Sequence, residues 1–140
     1  MSAFEGLVMR HFKYAFMLGL MSITSPAASA IKGHWTNPSK SVVIDIAPCG
    51  HVLCGTVSWA SDKAKHDARK GTQHLVGSHL LTDLKKSHDT WRGKLFVPDQ
   101  NMRVTAKLQL VTADEMKVSG CALMVCKSQL WKRTHQRHHA

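Results

Sequence analysis

The sequence predicts an all-β fold with little or no helix, a small antiparallel sheet rolled into a barrel or a sandwich. Three observations predict it. Period-two alternation of apolar and polar residues dominates the second half of the chain, turn-forming residues separate the alternating runs at short intervals, and two Cys-x4-Cys pairs bracket stretches of turn length. Helical periodicity is nearly absent. The one stretch that fits a helical turn or two is Leu80 to Lys86 ("LLTDLKK"), and "HLVGSHLL", which overlaps its start, reads equally well as strand.

The first thirty residues stand apart. Arg10, His11 and Lys13 give a cationic start, Tyr14 to Ile23 is apolar, and "TSPAASA" follows with Ala28 and Ala30 in the small-x-small pattern that precedes signal-peptidase cleavage. Residues 1–30 therefore read as a secretory signal. The apolar run is far shorter than the roughly 18 residues of a spanning helix, and no later segment is long enough to span. Cleavage after Ala30 leaves Ile31 first, with no cysteine there to take a lipid. It also leaves 31–140 as one small domain and lowers the net charge from +10 to +9. The expected location is periplasmic or secreted.

Within that domain, Val42, Ile44 and Ile46 alternate with Val43 and Asp45, and beyond the first cysteine turn Leu53, Gly55, Val57 and Trp59 share a face. A hairpin results. From Ala60 to His74 the chain is polar and basic, with Lys63, Lys65, Arg69 and Lys70 clustered in what reads as a long loop. Trp91 to Val97 is a strand closed by "PDQN", in which Pro98 presets its own φ and Asp99 and Asn101 favour turn geometry. Met102, Val104, Ala106, Leu108 and Leu110 then fall on one face, with Arg103, Thr105, Lys107 and Gln109 on the other. After a turn, Met116, Val118 and Gly120 resume the alternation, so Arg103 to Cys121 reads as a second hairpin. The tail 134–140, with His135, His138 and His139, reads as a frayed basic terminus.

Cys49, Cys54, Cys121 and Cys126 all follow the signal, and an even number of exported cysteines reads first as disulfides. Redox catalysis favours a two-residue gap. A structural zinc site tolerates gaps of two to four, but export argues against one, and no metal or other cofactor is expected. Four cysteines allow three pairings. A local ring removes about 2 kcal/mol of unfolded-state entropy and a long-range bridge about 4.5, so energy does not select the local pairs. Geometry favours them, because each brackets a stretch able to turn a hairpin, with Gly50 and Gly120 supplying permissive backbone.

Taken in order, "GHW" (33–35), "CGHVLCGTVSW" (49–59), "DAR" (67–69), "LVG" (75–77), "W-x-G-K-L-F-x-P" (91–98), "AKLQL" (106–110), "V-x-GC" (118–121) and "C-K-x-Q-x-W-K-R" (126–133) resemble DUF2147, a family of small exported bacterial proteins of uncharacterised function. The ordered set carries the resemblance, which spans Gly33 to Arg133. It implies a small antiparallel barrel similar to lipocalins and fatty-acid-binding proteins. In such barrels a Gly-x-Trp near the first strand closes one end beneath a basic side chain from the last, and Gly33, Trp35 and Arg133 occupy the matching places. The chain departs from the family at Phe96, Val97 and Pro98, where the family has Tyr-Asp-Pro followed by glycine.

No catalytic constellation is evident. The acidic residues show no spacing that pairs two of them, and no Ser/His or metal-protease pattern occurs. The function expected is non-enzymatic: carriage of a small hydrophobic or amphipathic, lipid-like ligand in a barrel cavity with Trp59, Trp91, Phe96, Met102 and Val104 as walls. The same side chains serve equally well as a solid core. The alternative is a basic module that docks on an anionic envelope component or a protein partner through Lys63, Lys65, Arg69 and Lys70. Nucleic acid is a poor partner for that loop, which lacks aromatics for base stacking.

Overall fold

A computed structural model describes residues 30–135, together with Gly19. The proposed signal sequence, apart from Gly19 and Ala30, and the tail beyond His135 lie outside the described residues. Eight antiparallel strands form a closed barrel in sequence order: β1 (Gly33–Thr36), β2 (Val42–Cys49), β3 (Val52–Ala60), β4 (His79–Ser87), β5 (Thr90–Val97), β6 (Met102–Thr112), β7 (Glu115–Ala122) and β8 (Val125–Arg133). The Leu80–Lys86 stretch is strand. Its leucines find core partners in the sheet, and Leu81 and Leu84 are both buried because an irregularity at Asp83 (φ 54°) keeps them in phase.

The basic stretch is more ordered than a loop. It holds one short helix, α1 (Asp62–Asp67), and a 3-10 turn (Ala68–Lys70). Ser61 caps α1 by accepting from the Ala64 amide, and Asp62 sits in the first turn with Lys65 and His66 in the last, as the helix dipole favours. Gly71 lets this segment press on the rim of the barrel: a Cβ there would stand 2.5 Å from the Pro98 carbonyl oxygen.

In an up-and-down barrel the connections alternate between two ends. The β2–β3, β4–β5 and β6–β7 turns share one end with the start of β1 and the finish of β8; α1 and the β1–β2, β5–β6 and β7–β8 turns share the other. The core fills the first half, where Ile31, Trp35, Ile44, Ile46, Leu108 and Met116 are almost wholly buried. Towards the second end burial falls away. Along β6 it declines from Leu108 and Ala106, both buried, through half-buried Val104 to exposed Met102, and along β8 residues 125–130 are exposed before Trp131 is buried.

Candidate functional site: an open-ended barrel cavity

The closed end is built around Trp35. Its indole is fully buried and donates from Nε1 to the Ile31 carbonyl at 2.9 Å, while the Arg133 guanidinium lies 4.3 Å over the ring. Arg133 is held in that pose by three backbone oxygens, donating to Ala30 at 2.7 Å, Lys32 at 2.8 Å and Ala113 at 3.0 Å. The chain must pass the guanidinium closely with φ +117° at Gly33, where a Cβ would meet Arg133 Nη1 at 3.0 Å. Gly33, Trp35 and Arg133 therefore meet in one cluster, with Trp35 directly opposite Arg133 in the β1–β8 register. Cys49 pairs with Cys54 across the β2–β3 turn and Cys121 with Cys126 across the β7–β8 turn, so each disulfide pins one hairpin.

The other end holds a cavity of about 540 Å³, within the range typical of small-molecule sites, roughly 300–1,000 Å³. Leu80, Leu95, Phe96, Val97, Met102, Val104 and Val118 give it apolar walls, and Gly120 leaves room beside Leu95 and Val104. Asn37, Asp99, Gln100, Lys127 and Gln129 bring polar groups, so one carboxylate and one ammonium share the lining. Asn37 is engaged in its own turn, where its Oδ1 accepts from the Ser41 and Val42 amides, and Gln129 accepts from the Trp131 indole at 3.1 Å. Lys127 has no ion-pair partner among the described residues; it sits opposite Gly120.

The cavity also opens sideways. β8 pairs with β1 only through Arg133 and Lys132, so from Val125 to Leu130 its far edge has no strand partner among the described residues. Asn37 and Val42 line the cavity on one flank of this gap and Val125, Lys127 and Gln129 on the other.

Of the five residues expected as walls, Phe96, Met102 and Val104 line the cavity and Trp59 and Trp91 do not. A β-bulge displaces Trp59. Val57 pairs with Ile44 but Trp59 with Val43, so Ser58 is an extra residue that turns Trp59 off the face shared by Gly55 and Val57. Trp91 packs in the closed half, opposite Leu108 and 4% exposed. Lys127 and Gln129 were not expected at the site, although the alternation Val125, Lys127, Gln129, Trp131 places them on the face of a buried tryptophan.

The basic residues are partly neutralised within their own helix. Lys63 Nζ donates to Asp67 Oδ2 at 2.6 Å, and Lys65 lies 3.7 Å from Asp62. The first hydrogen bond lifts the Lys63 pKa above its ordinary value and holds the Asp67 carboxyl below its own. Arg69 and Lys70 border a shallow surface hollow shared with His66, Asp67 and Asp99. Two carboxylates there oppose the cations, which makes it a poorer anion site than its lysine and arginine suggest.

The chain belongs to DUF2147, the family described as "uncharacterized protein conserved in bacteria", whose model matches residues 33–133. Among solved structures it is similar to one titled "Protein HP1028 from the human pathogen Helicobacter pylori belongs to the lipocalin family", with a TM-score of 0.57, 13% identity, and 74% of this chain and 82% of that one covered. At that identity the likeness establishes the fold, a lipocalin-like barrel. No curated protein matches the chain. Among the described residues, no helix is long and apolar enough to cross a membrane.

Proposed function

We propose that this member of DUF2147 is a non-enzymatic carrier of a small amphipathic molecule, whose apolar tail enters the cavity and whose anionic head meets Lys127. The observation that carries the reading is the burial gradient: the barrel is packed solid at one end, while at the other apolar walls surround unfilled space. That space is bordered by Lys127, which has no ion-pair partner among the described residues, and by Asp99. Burying the tail supplies the affinity, at about 0.8 kcal/mol per CH₂ group, and a charge-assisted hydrogen bond from Lys127 orients the head. The sideways gap along β8 gives a long tail a second route besides the end of the barrel.

The two disulfides fit maturation in an oxidising compartment outside the cytosol. Residues 1–30 would direct the chain there and be removed. Cleavage after Ala30 takes away one acceptor of Arg133 and leaves the Lys32 and Ala113 carbonyls to hold it.

Native mass spectrometry of protein purified from the envelope of the producing cell tests this reading. A co-purifying lipid-like mass, and displacement of an apolar dye by fatty acids with affinity rising along the chain-length series and persisting in high salt, is the expected result. A bare mass together with no dye binding overturns it. The alternative, docking of the basic stretch on a polyanion, predicts binding that collapses as salt rises. Pairing of Lys63 and Lys65 with their own aspartates weakens that alternative.

A further inference from the structure

The β7–β8 turn is the most exposed apolar feature among the described residues. Leu123 is 103% and Met124 98% exposed, and Val125 follows at 66%. Their position makes this unusual. Two-residue hairpin turns favour asparagine, aspartate or glycine, because at least one central residue takes a positive φ. Here Leu123 occupies that place at φ 56°, so a large apolar side chain accepts backbone strain and full hydration together. Directly behind it the Cys121–Cys126 disulfide joins opposed residues with Cα atoms 4.1 Å apart, which fixes the turn as a stiff projection.

We propose that this turn is an anchor that seats the cavity mouth on an anionic lipid bilayer. Two further observations select that occupant. The flanking residues Ala122 and Val125 line the cavity, so the anchor and the opening through which a ligand passes are continuous. With Lys63 and Lys65 paired to Asp67 and Asp62, the connections at the same end still carry Lys40, Arg69 and Lys70 against Asp99, a small excess of cations that adds to the apolar tip on anionic headgroups. A convex tip of two side chains offers far less than the roughly 800 Å² per partner of a stable protein interface. A bilayer surface needs only shallow burial of an apolar tip plus attraction to its charge, the combination by which interfacial anchors bind. The anchor stands independently of the cavity reading, since an empty or filled barrel presents the same tip.

The test uses the secreted protein and extruded vesicles of phosphatidylglycerol with phosphatidylethanolamine, compared with vesicles of phosphatidylcholine alone. Co-sedimentation with the anionic vesicles is expected, and Leu123→Ser with Met124→Ser should weaken it at least tenfold, with thermal midpoint and dye binding in the cavity unchanged. A separate Leu123→Trp variant should show a blue-shifted emission on those vesicles, a readout that does not depend on loss of function. Equal partitioning of the double-serine variant overturns the proposal, as does binding abolished by Arg69→Glu with Lys70→Glu but untouched at the tip. So does concentration-dependent self-association that vanishes in the double-serine variant without vesicle binding, which would make a second copy the occupant.

Discussion

The two ends of this barrel are built from the same strands and behave as opposites. At the closed end every polar group near the buried indole has a partner: the indole N–H meets the Ile31 carbonyl, and Arg133 satisfies three carbonyls while it caps the ring. At the open end apolar side chains face unfilled space, Lys127 has no ion-pair partner among the described residues, and β8 runs past the short β1. Packing is concentrated at one end and open apolar space at the other. Each end has one disulfide, but the bridge across β2–β3 reinforces a region already packed, whereas the bridge across β7–β8 holds a hairpin with little packing of its own.

Substitutions separate these roles. The largest effect is expected for Trp35→Ala, which empties the centre of the closed end and should cost about 3–5 kcal/mol in urea denaturation. Replacing either cysteine pair by serine should cost about 2 kcal/mol, since both rings are the same length. What distinguishes the pairs is amide exchange: loss of Cys121–Cys126 should accelerate exchange around residues 122–125, while loss of Cys49–Cys54 should leave the neighbouring strands protected. Val104→Trp places an indole in the cavity and should reduce dye affinity about tenfold, with stability changed by less than about 1 kcal/mol because open space receives the ring. The smallest effect is expected for Lys127→Ala, about a fivefold loss for an anionic amphipath and none for its neutral methyl ester, read by competition against the same dye. Equal losses for acid and ester would remove Lys127 from the site and leave the cavity reading intact.

Much of the architecture was legible. Alternation in Met102–Leu110 announced a strand buried on one side, and the paired cysteines announced hairpins, because both patterns are local and record which face each side chain takes. The cluster of Gly33, Trp35 and Arg133 joins residues about a hundred positions apart, and its members were found through the ordered family pattern rather than through spacing. Trp59 was misplaced for a specific reason. A single bulge residue, Ser58, reverses facing for everything beyond it, and a bulge leaves no mark on composition. The helical order of 62–70 was hidden in a polar stretch whose cap, Ser61, looks like any other loop serine until its partner is seen.

The sequence by itself determined that the chain forms short antiparallel strands and favoured two stapled turns, because side-chain alternation and the reach of a disulfide are properties of neighbouring residues. Only the tertiary structure decided that the barrel is filled at one end and hollow at the other, and that Lys127 and the Leu123–Met124 turn stand at the hollow end. Whether an inward-facing side chain completes a core or lines a space depends on what the opposite wall contributes, and that wall comes from distant parts of the chain.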